Sequence, residues 1–177
     1  MPFCFEVRDV AAEASEFKSV LIVPCRFCPA ASTAVKNNEP YIEFPRRSLK
    51  TASYERLLSK MKDSFEERGI TTGLFKSSLL HQFVLCMWTA KRRKKLVECA
   101  EKYEAVVVMG CEAAVATVRS ALTGTDCHII PGLRSEGIMS IQPKFSVPCN
   151  LRLELESVTP YVHPESGGGA GGHPWTN

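Results

Sequence analysis

The chain has 177 residues, of which 45% are apolar and 23% are charged, and its formal net charge is +3. This length suffices for a domain that buries its own core, and the composition is that of an ordinary globular protein. The small net charge gives no argument for nucleic acid, and no apolar run approaches the roughly 20 residues of a membrane-spanning helix. With no secretory signal visible at its start, the sequence predicts a cytoplasmic protein without a membrane span.

The N-terminal part of the chain is built around one apolar run. Residues 19–24 read SVLIVP, which has the length and the β-branched content of a buried strand. The run leads directly into a Cys-x-x-Cys-Pro turn that contains Cys25 and Cys28. Alternating apolar residues predict a short edge strand over 3–7, and the composition of 30–36 is compatible with a short helix.

The middle of the chain combines a clear helical pattern with an ambiguous one. Apolar residues at helical spacing predict a helix over 53–68, and Gly69 is suited to the left-handed conformation at its end. A short strand is predicted over 70–75. Residues 79–103 are apolar at first and basic afterwards, which fits either one helix or a buried segment followed by a helix from near Thr89.

A second apolar run, AVVVM at 105–109, ends in the same way as the first. It leads into Gly110 and Cys111 and predicts a strand that is buried on both faces. A helix over 111–122 and a strand over 127–130 are predicted to follow.

The C-terminal part changes character. Prolines interrupt the apolar residues from 137 onwards, and 151–156 alternates strictly as LRLELE, so we predict a β-hairpin. Residues 160–177 are rich in glycine and cannot bury enough apolar surface to fold alone. We therefore predict a single α/β domain over 1–159 and a flexible C-terminal tail over 160–177.

The alternation of strands and helices predicts the fold class. It is typical of an α/β domain with a mainly parallel sheet between two layers of helices, as in flavodoxin-like or Rossmann-like proteins. In this prediction the C-terminal hairpin adds antiparallel strands at an edge of the sheet.

The candidate site is a group of thiols. If the two apolar strands are parallel neighbours, Cys25, Cys28 and Cys111 converge at the carboxyl edge of the sheet, where α/β proteins place their chemistry. Cys86, which lies in the apolar segment before the basic residues, is the fourth candidate ligand. The site residues predicted to bind metal are therefore Cys25, Cys28, Cys111 and Cys86.

Three roles are compatible with the Cys-x-x-Cys pair. The two thiols can hold iron or zinc, they can cycle between a dithiol and a disulfide, or they can form only a turn. A structural zinc site normally has a second close pair of cysteines, which the sequence lacks, so an iron-sulfur cluster is the first expectation and zinc the alternative. The remaining cysteines are predicted to pack in the core: Cys4, Cys99, Cys127 and Cys149.

Other kinds of site have little support in the sequence. Gly110 lies between a strand and a helix, where phosphates can bind, but the surrounding residues match no nucleotide-binding motif and Glu112 would repel an anion. We therefore predict no nucleotide and assign Gly110 to a tight turn. No catalytic triad, carboxylate pair or histidine cluster is visible, which favours a non-catalytic subunit or regulator over an enzyme.

Two features are candidates for binding a partner. The run at 91–95 is entirely basic, and although such a run is most often a solvated helix face, it can also dock on an acidic surface. Without interleaved aromatic residues it favours a protein partner in a larger complex over nucleic acid. The tail adds an aromatic anchor on a glycine tether. The candidate partner-binding residues are Lys91, Arg92, Arg93, Lys94, Lys95, His173 and Trp175.

The two strands with their cysteines resemble a known group of proteins. Residues 19–28 and 104–118 are similar in layout to small cysteine-rich α/β iron-sulfur subunits that accompany hydrogenases, heterodisulfide reductases and corrinoid methyltransferases in anaerobic, methanogen-type metabolism. The resemblance implies an accessory subunit for electron transfer or redox sensing, and it carries over only the roles of the thiols.

Three hypotheses remain open at this stage. The first is an accessory subunit that binds an iron-sulfur cluster or a metal through its clustered cysteines. The second is a cluster-free regulatory protein that docks on a larger complex through the basic run and the tail. The third is a thiol-disulfide oxidoreductase that acts through Cys25 and Cys28.

Overall fold

A computed structural model of the protein describes residues 2–43, 50–76, 85–146 and 150–161. These residues form a mixed α/β structure with two four-stranded sheets. The helices are α1 (Ala11–Ala14), α2 (Cys28–Lys36), α3 (Ala52–Glu67), α4 (Ala90–Ala100) and α5 (Glu112–Ala121), with a 3-10 turn at Leu85–Met87. The strands are β1 (Phe3–Val7), β2 (Ser19–Pro24), β3 (Ile42–Glu43), β4 (Thr71–Leu74), β5 (Ala105–Met109), β6 (His128–Pro131), β7 (Leu133–Ser146) and β8 (Asn150–Pro160). In the part of the chain described, no helix has the length and apolar character needed to cross a membrane.

The parallel sheet has the strand order β4-β2-β5-β6. Strand β2 pairs with both β4 and β5 in parallel, and β5 pairs in parallel with β6. All five residues of β5 are buried, as are the last five of β2, which is the pattern of strands covered on both faces. The predicted strands at 19–24 and 105–109 and their parallel pairing are thus confirmed.

The antiparallel sheet corrects the predicted fold class. Its strand order is β1-β7-β8-β3, so the C-terminal hairpin forms a second sheet with β1 and β3 and does not extend the parallel sheet. The first part of β7 alternates between buried and exposed residues. A strand of that kind needs one face on the core and one in solvent, which an antiparallel sheet provides and a doubly covered parallel sheet does not. The prediction of a single three-layer sheet is therefore wrong.

The helix boundaries are close to those predicted, with two informative differences. Helix α2 begins at Cys28, two residues before the predicted start, because Pro29 in its first turn needs no N–H partner there. The structure describes the ambiguous region from Leu85 on, where the 3-10 turn is followed by a separate helix α4, and its start at Ala90 is close to that of the second predicted alternative. Gly69 has a φ of +78°, the left-handed conformation predicted for it at the end of α3.

Candidate functional site

The candidate site lies where β2 and β5 end side by side. Pro24 is in register with Met109, and the Cys25 N–H donates a hydrogen bond of 2.9 Å to the Met109 carbonyl. A Cβ atom at Gly110 would lie 3.3 Å from the Cys25 Cβ and 2.6 Å from the Ala114 Cβ. A glycine at this position therefore allows the two strand ends, and the thiols that follow them, to approach each other closely.

Pairwise electrostatic effects link the four thiols predicted as ligands. Burial, with smaller contributions from the nearby Cys28 and Cys111 thiols, raises the pKa of Cys25 from 9.0 to about 11. Burial also raises the pKa of Cys28, with further contributions from Cys111 and Cys86. The structure thus brings together thiols from three separate segments, while their role as metal ligands stays a prediction.

The thiols form a gradient from the core to the surface. Cys25 and Cys111 are buried, Cys28 is half-buried, and Cys86 is exposed. Its neighbour Leu85 is fully buried. The Leu85 backbone makes a hydrogen bond to the Cys25 thiol, which partly offsets the effect of burial on its pKa. The segment that carries Cys86 is therefore tied directly to the Cys-x-x-Cys turn.

Two interactions with α3 fix the Cys-x-x-Cys turn. The Arg26 Nε donates a hydrogen bond of 2.7 Å to Glu55 Oε1, and the Arg26 guanidinium is largely buried in this ion pair. The Tyr54 hydroxyl donates a hydrogen bond of 3.0 Å to the Met109 carbonyl, the same acceptor that binds the Cys25 N–H. Helix α3 thereby joins the turn after β2 to the end of β5.

These supporting residues were not identified from the sequence. Arg26 was visible as an intervening residue of the Cys-x-x-Cys motif, which is the one signal that could have suggested a structural role. Its partner Glu55 and the nearby Tyr54 are on α3, well separated from the Cys-x-x-Cys turn in the sequence, and neither belongs to a recognisable motif. Their contribution depends on how α3 packs, which the helical period of the sequence does not specify.

A zinc ion and a cubane iron-sulfur cluster require different distances between their sulfur ligands. Within the described residues, no three histidine, cysteine, aspartate or glutamate side chains come close enough together to hold a single metal ion. A tetrahedral zinc site requires every sulfur at about 2.3 Å from one point. In a cubane iron-sulfur cluster each thiolate binds a different iron, so the sulfurs stand further apart. Both kinds of site stay predictions for these thiols.

The pKa shifts of Cys25 and Cys28 are opposite to those of a reactive dithiol. A reactive dithiol has a lowered thiol pKa, commonly because its first cysteine lies at a helix N-terminus. Here Cys25 precedes α2 and is buried, and the pKa values of both Cys25 and Cys28 are raised. Both thiols are therefore neutral, and weak nucleophiles, near pH 7.

The basic run divides between the surface and the interior. Lys91, Lys94 and Lys95 are exposed on α4 and Arg93 is half-buried, but Arg92 is only 8% exposed. Its guanidinium lies over the Trp88 ring, 6.0 Å from the centroid. Arg92 belongs to the inward face of α4, so it does not contribute to an exposed basic patch as predicted. His173 and Trp175 lie outside the described residues.

The other described cysteines differ in their surroundings. Cys4 is buried, with its thiol 3.5 Å from Glu136, and Cys99 and Cys127 are half-buried. Burial alone raises the pKa of Cys127, with no contribution from another thiol. Cys127 is therefore a suitable control for experiments on the candidate site, and Cys149 lies outside the described residues.

No protein-family model matches the chain, and comparisons with curated proteins and with solved structures found no similar protein. Its function is therefore inferred from its own residues.

Proposed function

We propose that the protein is a small accessory subunit that binds an iron-sulfur cluster through Cys25, Cys28, Cys86 and Cys111 and serves in electron transfer or redox sensing. The observation that carries the proposal is that Cys25, Cys28 and Cys111 lie near one another at the carboxyl ends of β2 and β5, with Cys86 near Cys28. When bound, such a cluster supplies a one-electron redox centre.

The raised pKa values of Cys25 and Cys28 are consistent with thiols that lose their protons only when a metal binds. Burial and the neighbouring thiols both disfavour a thiolate at Cys25. A bound cation reverses this balance because it stabilises the thiolates that coordinate it, and protons are released as it binds. The thiols would then lie near one another in order to coordinate a metal and not to act as nucleophiles.

Side chains around the exposed edge of the site support an accessory role. Phe27 and Met87 are both exposed, although each is a large apolar residue, and each directly adjoins one of the proposed ligands in the sequence. Apolar and aromatic residues of this kind are enriched in the centres of protein interfaces. We infer that a partner protein covers this edge and exchanges electrons with the cluster there.

The basic face of α4 offers a second surface for the same complex. Lys91, Lys94 and Lys95 form an exposed cationic face that would favour an acidic partner surface and speed association with it. The exposed Cys86 thiol suits a reducing compartment such as the cytoplasm.

The experiment is a measurement of iron, zinc and acid-labile sulfide on protein purified without oxygen, together with its visible spectrum. We expect about four irons and four sulfides per chain, as in a four-thiolate cubane. The Cys25→Ala variant should lose both, whereas Cys127→Ala should retain both because its thiol lies apart from the site.

The outcomes separate the alternatives. One zinc per chain without sulfide would replace the cluster by a single-ion site. A colourless, metal-free protein, after an attempt to reconstitute it with iron and sulfide, would overturn the proposal. Equal metal loss in Cys25→Ala and Cys127→Ala would also contradict it, since the loss would then reflect general damage to the fold.

A further inference from the structure

A cavity of about 250 Å³ lies between α2 and α3, apart from the four thiols. Each helix presents to it residues spaced by three or four positions, which share one helix face. Helix α2 contributes Ser32, Thr33 and Lys36, and α3 contributes Ser53, Arg56 and Lys60. Apolar side chains of β1 and β7, namely Phe5, Val7 and Leu133, also line it.

The charged residues that line this cavity are all basic. Lys36, Arg56 and Lys60 line it, and none of the described lining residues is acidic. Lys36 is paired with Glu136 and Arg56 with Glu39, but both ion pairs are largely exposed. Such pairs contribute little stability, so an incoming anion can compete for the cations. Lys60 forms no ion pair within the described part of the chain.

A buried hydroxyl in the cavity wall also points to a polar ligand. Ser53 is only 3% exposed, and its Oγ has no hydrogen-bond partner among the described residues. Leaving a buried hydroxyl unsatisfied costs about 1–3 kcal/mol, so such groups usually have a partner. A ligand oxygen would satisfy the Ser53 hydroxyl.

The start of α3 strengthens this preference for an acceptor. Ser53 lies in the first turn of the helix, whose N-cap residue Thr51 makes no side-chain capping bond. The Thr51 hydroxyl instead donates to the Tyr41 carbonyl at 2.7 Å. The first turn of a 16-residue helix therefore leaves backbone N–H groups uncapped, which favours negative charge nearby.

The cavity also has room for an apolar group. A second cavity of about 200 Å³ adjoins it, because Val7, Leu57 and Lys60 line both. The second cavity continues along α3 past Met61 and Phe65. The space as a whole combines the cations near Ser53 with a channel whose wall is mainly apolar and also includes Arg8, Asp9 and Ser64.

From this combination we propose that the groove between α2 and α3 binds a small amphipathic anion, with a carboxylate or phosphate head group near Ser53 and Lys60 and an alkyl or aryl body along α3. The site shares α2 with the thiols but none of its lining residues is a proposed metal ligand. Ligand binding is therefore expected in protein with and without a cluster, including the Cys25→Ala variant.

The test is a calorimetric titration of the full chain with four matched probes: hexyl phosphate, hexanoate, hexanol and inorganic phosphate. We expect hexyl phosphate, hexanoate or both to bind, more tightly than hexanol, which lacks the charge, and than inorganic phosphate, which lacks the apolar body. The preferred anion identifies the head group.

Substitutions then locate the site. Lys60→Met should weaken binding about tenfold, equivalent to about 1.4 kcal/mol. Lys62→Met is the matched control, because Lys62 is on the same helix, pairs with Glu66 and does not line the cavity. Ser53→Ala should weaken binding while leaving the unfolding temperature unchanged or raised, since it removes an unsatisfied buried hydroxyl.

Two results would overturn the proposal. One is that neither anion binds more tightly than hexanol. The other is that Lys60→Met and Lys62→Met weaken binding equally, which would indicate non-specific attraction to a basic surface.

Discussion

The central strands of the parallel sheet bury their side chains, whereas the β7–β8 hairpin exposes many of its own. Strands β2 and β5 are almost entirely buried, whereas β8 has no buried residue and the last five residues of β7 are all exposed, with Phe145 84% exposed. The thiol-bearing turns follow directly from the buried strands. The candidate site therefore adjoins the buried strands of the molecule. We expect mutations in the parallel sheet to lower stability much more than mutations in the hairpin.

The largest difference is expected from truncating an apolar side chain in each region. Leu21 in β2 is 1% exposed, so Leu21→Ala should lower the free energy of unfolding by about 2–5 kcal/mol through lost burial and a residual cavity. Phe145→Ala, at an exposed position of β7, should change it by less than about 0.5 kcal/mol. Urea unfolding followed by circular dichroism measures both. Equal losses would refute the assignment of stability to the parallel sheet.

The next effect is a loss of stability at alkaline pH that depends on Cys25. Its pKa is about 11 in the folded protein against 9.0 ordinarily, so the folded state keeps a proton that the unfolded chain releases. This contribution is fully present below pH 9 and is lost as the pH rises to about 11, which amounts to about 2–3 kcal/mol for metal-free protein.

Unfolding curves of metal-free wild type and Cys25→Ala across this pH range provide the measurement. The variant should show a shallower decline, and the remaining decline should extend further because the pKa of Tyr41 is raised to about 12, chiefly by burial. Identical pH profiles would contradict the burial of a neutral Cys25 thiol.

Alanine substitutions at Gly110, which follows β5, and at Gly137 in β7 distinguish an effect on stability from an effect on metal binding. In Gly110→Ala the new Cβ would lie 2.6 Å from the Ala114 Cβ and press on Cys25, so we expect a loss of about 1–3 kcal/mol together with loss of metal. Gly137→Ala in the hairpin meets the Thr159 carbonyl oxygen at 2.3 Å and should also be destabilising. Its metal content should nevertheless be retained. Metal loss in both variants would argue against a specific role for Gly110.

The smallest effect is expected from Tyr54→Phe. The substitution removes a buried hydroxyl that donates to the Met109 carbonyl, while the Cys25 N–H remains as a donor to the same oxygen. Because the acceptor keeps one partner, the loss of stability should be about 1 kcal/mol. Urea unfolding would show this as a lower midpoint with an unchanged slope. A change in slope would indicate that α3 has moved.

The parts of the fold that the sequence predicts are those set by local pattern. The strands at 19–24 and 105–109 are continuous apolar runs, which are typical of doubly buried parallel strands, and their pairing places Cys25 and Cys111 together. The sheet that the hairpin joins was not predictable in this way. Strand β1 pairs with β7, which lies more than 120 residues further along the chain, and no local sequence pattern specifies such a pairing.

The interior position of Arg92 shows the same limit within a helix. As part of a run of five basic residues it predicts an exposed face, yet it lies on the buried stripe of α4 with Leu96 and Ala100. The Trp88 ring makes this position tolerable because it offers a face for the guanidinium, and the sequence does not reveal that Trp88 packs there.

The most direct test of the central claim uses the exposed thiol of Cys86. Protein purified without oxygen would be treated with iodoacetamide at pH 7.5 before and after removal of metal by a chelator, and the rate of alkylation at each cysteine would be read by mass spectrometry. Because Cys86 is exposed, it should react rapidly in metal-free protein and slowly when it coordinates a cluster with Cys25, Cys28 and Cys111, while Cys127 should react equally in both samples. If Cys86 in iron-loaded protein reacts as rapidly as in metal-free protein, the four thiols do not form one site.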